Sequence, residues 1–518
     1  MAYIRSHQGQ AWLLPPSIEE LIPEDHICYL VSNLVESLDY RKFDAKYAGA
    51  GRPAYHPQIL LKILIMGVLD KVRSSRALAR SVRENVVYMY LSEKVTPDFR
   101  TISDFRKDNP ELVKDVFKKT VGFARQEGML DLSHLATDGS KIKANAASAR
   151  VVTKEELEVL TEFVEKELET WARQDKVEDE KFGDLRGYDQ LPHASRKAIR
   201  KAAINYLKKQ QERESFKEEI SKTLERASER VKEDDLERVN TTDPDSRFMK
   251  NKSGRIEPSY NPQITVERNG IIVANDVCQD ATDYAQLQPQ VTETIENVGE
   301  LPRETNWNFD SGYFEGGNLE FLEKNNIDAY IPDPNDKKEV KPYDKRNFTY
   351  DPAKNEYTCP ENQRLIYTGT YFDKQKQVNR SLYKGLACLE CGKREECTKS
   401  KTGIRIIKRV EYEEERNAMV AKMKTREAKE IFRLRARTVE PTIGDIKENK
   451  GVRSFLTRGI TAVRSEFNLV CTAVNLKRIW LAAKPTNKPN QTKNKPNRAI
   501  TTAFDTKSLV FNCVNHLF

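Results

Sequence analysis

A mixed α/β fold, in which a sheet of mixed strand direction carries helices packed against it, is predicted by three features of this sequence. Between 134 and 332, β-prone runs alternate with helical periodicity in the order strand, hairpin, helix, strand, helix, strand. A stretch with apolar residues at helical spacing precedes them over 57–127. Two further stretches, one charged and helical at 150–257 and one cysteine-bearing at 338–404, interrupt the alternation. A chain of 518 residues with 38% hydrophobic residues can bury a sizeable core, and roughly two to four folded pieces are expected of it.

Taken in order, Pro57 suits a first helical position, and Leu78, Val82, Val86 and Met89 predict one buried stripe. Lys71, Arg73, Arg76, Arg80, Arg83, Arg100, Arg106 and Lys107 lie among these helices, either as a phosphate-facing surface or as an ordinary solvated face. His134-Leu-Ala-Thr137 reads as a strand running into Asp138-Gly139-Ser140-Lys141. Thr153-Lys-Glu-Glu156 fits a capping box. Behind it, Leu157, Leu160, Val164, Leu168 and Trp171, then Phe216, Ile220, Leu224, Ala227 and Val231, predict a pair of amphipathic helices. Asn269-Gly270 between apolar runs predicts a hairpin, followed by a helix over 283–298. Thr305–Phe309 reads as a strand ending in Asp310-Ser-Gly-Tyr313, with a helix through Leu319 and Leu322 and a strand from Asp328 after it. Residues 338–404 read as polar and irregular, and 411–450 as helical. The expected division is 1–128, 129–149, 150–257, 258–337, 338–404, 405–483 and a tail, 484–518, whose Lys484–Asn497 segment is a basic low-complexity linker.

Lys and Arg number 87 against 79 Asp and Glu, a net charge of +8. Residues 441–500 alone hold twelve basic residues against three acids, a region suited to a polyanion. The start lacks the basic-then-apolar pattern of a secretory signal. The apolar run Ile59–Leu69, broken by Lys62, is far short of the roughly 20 residues that span a bilayer, so no membrane partner and a cytoplasmic location are expected. Six widely scattered His argue against imidazole-based catalysis.

Asp138 and Asp310 each end a predicted strand, each with a Gly within two positions, and neighbouring strands would bring them together. Paired carboxylates without His suit hard divalent cations such as Mg²⁺, which can hold both oxygens of an in-line phosphoryl displacement. Either residue is otherwise a plain turn Asp. Glu440 offers a third acid, with Lys447 seven residues on and thus on the same face of a helix. Pro441 places Glu440 at a helix start or kink.

Leu135-Ala-Thr-Asp-Gly-Ser-Lys-Ile-Lys-Ala-Asn-Ala, Tyr260-Asn-Pro-Gln, Asn308-Phe-Asp-Ser-Gly-Tyr and Val439-Glu-Pro-Thr-Ile-Gly-Asp-Ile-Lys resemble the DDE transposases of bacterial insertion sequences. His56-Pro-Gln-Ile-Leu-Leu-Lys, Arg73-Ser-Ser-Arg and Pro97-Asp-Phe-Arg-Thr-Ile-Ser-Asp-Phe-Arg resemble the helical N-terminal domain of that family. Phe455-Leu-Thr-Arg-Gly and Asn475-Leu-Lys resemble its C-terminal end. The resemblance implies a ribonuclease H-like catalytic domain, with Asp138, Asp310 and Glu440 as the acid triad holding two Mg²⁺ (or Mn²⁺) ions. Lys447, Arg437, Lys141, Arg73, Arg76 and Arg106 would contact DNA. The family's Tyr-x2-Arg-x3-Glu element is not matched, because Arg433 and Ala436 stand where its tyrosine and arginine belong; Arg437 or Arg435, and Phe432, are the nearest substitutes. The implied activity is binding of terminal inverted repeats of double-stranded DNA, metal-dependent cleavage and strand transfer to target DNA, by a nucleoid-associated homodimer. The alternatives are a decayed or domesticated DNA-binding protein and a metal-dependent nuclease without strand transfer.

Four of the eight Cys form a C-x28-C-x2-C-x5-C array, Cys359, Cys388, Cys391 and Cys397. Four thiolates including one Cys-x2-Cys knuckle suit a structural Zn²⁺, which would supply folding energy to a polar insertion; free structural thiols are the other reading.

Overall fold

The structure, a computed structural model, describes residues 17–41, 43, 54–182, 219–251, 253–336, 339–373 and 378–484. Phe216 and nearly all of the basic tail lie outside the described residues, as do the side chains of Leu168 and Trp171.

Six helices open the described fold: α1 (Ile27–Glu36), α2 (Pro57–Leu69), α3 (Ser75–Glu84), α4 (Val86–Leu91), α5 (Phe99–Asp108) and α6 (Pro110–Gln126). Pro57 occupies the first turn of α2, where its missing N–H costs nothing, and the His56 ring accepts from Gln58 N. α2 is buried nearly all round, Lys62 included, whose ammonium reaches Glu36 at 2.7 Å. The expected stripe from Leu78 to Met89 is broken. Asn85 takes an extended conformation (φ −117°, ψ 124°), its side chain caps Val87 N, and α4 buries Tyr88 and Leu91 instead.

The central sheet follows: β1 (His134–Gly139), β2 (Ile142–Lys143), then β5 (Arg247–Lys250), β6 (Ile256–Glu267), β7 (Ile272–Cys278), β8 (Asn306–Phe309) and β9 (Asp328–Tyr330), with β3 (Val151–Thr153) and β4 (Arg238–Asn240) forming a separate ladder. Across its middle the order is β7-β6-β1-β8-β9, where β6 runs antiparallel to β7 and β1, and β1, β8 and β9 are parallel. β1 is buried on both faces, so its polar Thr137 has to be satisfied internally. Its hydroxyl accepts from Trp307 Nε1 and meets Thr265 Oγ1, each at 2.8 Å. The β6–β7 hairpin turns at Gly270 (φ +90°), as the Asn-Gly pair predicts. Buried Glu267 accepts from Asn269 N, Ile271 N and Asp131 N around it.

Between β3 and β4 run α7 (Lys154–Phe182) and a helix over 219–233, here α8. The capping box forms, with Thr153 N donating to Glu156 and Glu156 N to Thr153 Oγ1. Leu157 and Val164 pack on Leu224, Ala227, Val231 and Val239 in a core of their own. The 150–257 stretch is thus not helical throughout: its return limb carries β4 and β5.

α9 (Leu287–Val298) and α10 (Gly316–Lys324) link the last central strands. The reading of 338–404 as irregular is corrected: β10 (Thr349–Asp351), β11 (Glu356–Thr358), β12 (Arg364–Asp373), β13 (Val378–Gly385) and β14 (Ile406–Val410) form a five-stranded antiparallel sheet that extends past 404. Its core is small, Phe348, Tyr357, Leu365, Tyr383 and Ile407 with Cys359 and Cys397 against it.

α11 (Glu413–Lys424), α12 (Arg426–Arg433) and α13 (Arg435–Gly444) follow, then a π turn (Asp445–Asn449) and α14 (Ile460–Ala483). α14 packs on α2, α6 and β7. Asn475 accepts from Ile272 N on β7 and donates to the Ile272 carbonyl and to Thr120 Oγ1 of α6. Asp243 and Asp245, just before β5, accept from Gly459 N and Ile460 N, placing two carboxylates at the positive end of α14. One buried cluster runs from Ile22 through the central sheet to Leu476, so the N-terminal helices, the sheet and α14 share a core. Among the described residues no helix is long and apolar enough to cross a membrane.

Candidate active site

Strand register brings the first two acids together. β1 and β8 are paired in parallel up to Thr137 opposite Phe309, so the next residues, Asp138 and Asp310, leave adjacent strands side by side, about 5 Å apart in the backbone. Asp310 caps the short turn Ser311–Tyr313, its Oδ1 accepting from Gly312 N at 2.6 Å.

The third acid arrives from α13, which packs over β1 and β6. Asn308, two residues before Asp310, donates to the Ile431 carbonyl at 2.8 Å and thereby pins the α12–α13 junction to β8; its own Oδ1 is buried without a hydrogen-bond partner. Leu434 forms that junction, and Arg435 begins α13. The Arg435 guanidinium bridges the acids, with Nη2 2.7 Å from Asp138 Oδ2 and Nη1 3.2 Å from Glu440 Oε1. Glu440 is not at a helix start: it lies inside α13, which continues through Pro441, with Thr438, Val439 and Thr442 buried beside it. Burial of that face outweighs the single hydrogen bond that Pro441 removes.

A further acid stands here that sequence reasoning passed over. Asp283, just before α9, accepts from Asn261 Nδ2 and Gln263 Nε2, both at 2.7 Å, and Tyr313 in turn donates to Gln263. The helix expected from 283 begins only at Leu287, after a tight turn over Tyr284–Gln286. The signal for Asp283 lies in Tyr260-Asn-Pro-Gln263, where two buried amides on one strand face need an acceptor.

The acids perturb one another. Burial pushes the Asp138 carboxyl up to about 6; Arg435 opposes this, while Asp310 and Asp283 add to it. Asp310 is likewise raised by burial and by Asp283, against the Gly312 N–H and Arg435. Arg435 is therefore the counter-charge of a crowded acidic site. No group of three or more His, Cys, Asp or Glu among the described residues is arranged ready to hold a metal ion, and between Asp138 and Glu440 the guanidinium takes the intervening place.

The basic residues divide into two sets. Lys447 lies in the π-helical segment Asp445–Asn449 into which the helix of Glu440 continues, and it donates to the Lys141 carbonyl at 3.3 Å, three residues beyond Asp138. Lys141 reaches the Lys250 carbonyl, and Arg437 is exposed. Arg76 is exposed and stacks over the Phe99 ring at 4.9 Å, with Arg80 and Arg83 exposed on the same helix. Arg73 and Arg106 are corrected. Arg73 donates to the Gly451 and Ser454 carbonyls and pairs with buried Glu466 at 2.6 Å, while Arg106 is buried and donates to the Arg73 carbonyl. Both hold α14 to the N-terminal helices.

At the second sheet, Cys359, Cys388, Cys391 and Cys397 line one cavity. Cys359 opens the β11–β12 turn and its Sγ accepts from Gln363 N at 3.3 Å; Cys391 N donates to the Cys388 carbonyl in the Cys-x2-Cys turn. None of the four is in a disulfide.

The family model described as Transposase DDE domain matches residues 358–480, taking in the four cysteines, Glu440 and most of α14. The model described as Transposase domain (DUF772) matches residues 16–108, which hold α1 to α5. Asp138 and Asp310 lie outside both matches. No curated protein matches the chain. Two transposase-domain matches, one at each end of a shared core, support an insertion-sequence DDE transposase.

Proposed function

We propose that the chain binds the terminal inverted repeats of double-stranded DNA, cleaves at them and joins the freed 3′ ends to target DNA. The observation that carries this is the convergence of Asp138, Asp310 and Glu440, from β1, β8 and α13, around Arg435. The strand order β7-β6-β1-β8-β9 supports a ribonuclease H-like reading of the sheet. The donor set is all carboxylate, which fits Mg²⁺ or Mn²⁺. When bound, two such ions supply a nucleophilic water and charge stabilisation for in-line phosphoryl displacement.

The chain's own residues do the rest. The three acids fix the site on two rigid strands and a helix. Arg435, freed from its carboxylates, is placed to meet a phosphate, as are Lys447 and Lys141 at the end of β1 and exposed Arg437. Exposed Arg76, with Arg80 and Arg83, gives the N-terminal helices a surface for end recognition. Two ends have to be paired before cutting, so the active form is a homodimer on DNA. Linear DNA carrying the gene's own flanks, a plasmid target and Mg²⁺ should yield joined molecules. Cleaved but never joined ends would favour the nuclease alternative.

The second sheet holds a structural zinc on Cys359, Cys388, Cys391 and Cys397. Four thiols at one cavity, with an N–H already directed at Cys359 Sγ, suit a closed tetrahedral site, and the small core beside it needs the added stability. Cys391→Ser is expected to release the zinc and to unfold the second sheet. Elemental analysis finding no zinc in the wild-type protein would contradict this.

A further inference from the structure

The second sheet has one face turned to its small core and one turned away from it, and strand register assigns each residue to a side. Tyr357, Leu365, Tyr383 and Ile407 point to the core, so Ile366, Tyr371, Leu382, Lys384, Ile406 and Lys408 stand on the outer face. In β14 the two kinds of cation are sorted by this alternation. Arg409 turns inward, its guanidinium 3.9 Å from the centre of the Tyr350 ring and 2.9 Å from Glu414. Arg405, just before the strand, donates to the Cys397 and Tyr343 carbonyls. Lys408 and Ile406 face outward and are exposed.

Every acid on the outer face of this sheet is already paired, Asp351 with Lys354, Glu356 with Arg364 and Asp373 with Arg380. Lys384 and Lys408 are both exposed, and among the described residues neither has a carboxylate partner. Lys384 lies opposite Ile406 and Lys408 opposite Leu382, which makes the two lysines diagonal neighbours on adjacent strands, roughly 7–8 Å apart. Like charges set so close cost stability unless an anion lies across them. The Lys408 ammonium stands 5.5 Å from the centre of the Tyr371 ring, a contact that orients the charge without neutralising it. From Thr398 to Val410 the chain holds five basic residues and no acid, and Lys399 and Lys401 are exposed in the loop that enters β14. Charge of one sign, spread over a strand face and its entering loop, complements a regularly spaced polyanion. The sheet is also tied to the catalytic strands: β14 leads into α11, whose Arg416 meets Glu315, five residues after Asp310, at 3.5 Å.

We propose that the outer face of the second sheet is a further DNA-contact surface, on which Lys384 and Lys408, with Lys399 and Lys401, hold the phosphate backbone of a duplex. This rests on the reading of DNA as the substrate and adds a surface separate from α3 and from the acids.

The test is fluorescence anisotropy of the full-length protein with two labelled duplexes, the gene's own flank and an unrelated sequence, over a series of KCl concentrations. The double variant Lys384→Ala/Lys408→Ala is expected to weaken binding to both duplexes by about tenfold or more and to lower the slope of log affinity against log salt by about 2. Lys384→Arg/Lys408→Arg keeps the charge and should restore both affinity and slope. Wild-type affinity and slope in the alanine variant would overturn the inference, as would equal loss in the alanine and arginine variants, which would make the lysines packing residues. Unchanged DNA binding with a shift in sedimentation would overturn it too, in favour of a contact between copies of the chain. A wild-type protein that bound neither duplex would overturn the DNA reading itself, an outcome distinct from normal binding in the variants.

Discussion

Asp310→Asn is expected to reduce strand cleavage by about a thousandfold or more while DNA binding is little changed. The asparagine oxygen can still accept from Gly312 N, so the turn Ser311–Tyr313 survives. What disappears is a negative charge adjacent to Asp138 and Asp283. The same change should leave the metal-free protein as stable or more so. Burial raises the Asp310 carboxyl above its ordinary value, so the folded state binds a proton that the unfolded chain has already released, and above that window the folded protein carries a costly charge. A neutral asparagine removes that cost, as expected where function and stability conflict. Cleavage, filter binding and thermal melting of the one variant separate the outcomes. Loss of binding and a fall in melting temperature would make Asp310 a structural residue.

Glu466→Gln is expected to destabilise the protein by about 3–5 kcal/mol, measured by urea unfolding. Glu466 is buried in α14 and accepts from Arg73, from Leu456 N and from Thr457 N and its hydroxyl. Burial alone would raise its carboxyl, but Arg106 and Arg73 outweigh this and hold it below the ordinary range. Without the charge, buried Arg106 and partly buried Arg73 lose their counter-ion at the joint between α14 and the N-terminal helices. The pH dependence has a definite sign. As the pH falls through the ordinary glutamate range, the unfolded chain takes up a proton that folded Glu466 refuses. The contribution of Glu466 is therefore complete above that range and lost as the pH falls through the folded value. The gap between wild type and Glu466→Gln should narrow on acidification. A gap that stayed constant, or widened in acid, would contradict this account of the joint.

The central strands are legible in the sequence because β1 and β8 are short, buried and end at an acid followed by glycine, and the hairpin announces itself through Asn269-Gly270. Glu440 and the cysteine array are legible from local spacing. The second sheet is not. In β12 nearly every residue is partly or fully exposed, so no apolar alternation marks Arg364–Asp373 as a strand. Asn85 breaks α3 from α4 through a side-chain cap that periodicity alone does not register. Arg73 reads as a phosphate contact because its partner, Glu466, lies 393 residues away. Asp283 resembles any turn acid until the topology places it against Gly139 and Gly312, 144 and 29 positions away in the chain. Properties set by local sequence can be read in advance, whereas those set by which strands become neighbours cannot.

The central claim is that this chain moves DNA with the acids of β1, β8 and α13. Excision and reintegration in cells of the gene with its native flanking DNA, wild type beside Asp310→Asn, tests that most directly. Movement with the wild type alone, with junctions at the flanking ends, is the predicted result. A folded wild-type protein that binds those flanks selectively yet moves nothing would contradict it and favour a DNA-binding protein without strand transfer.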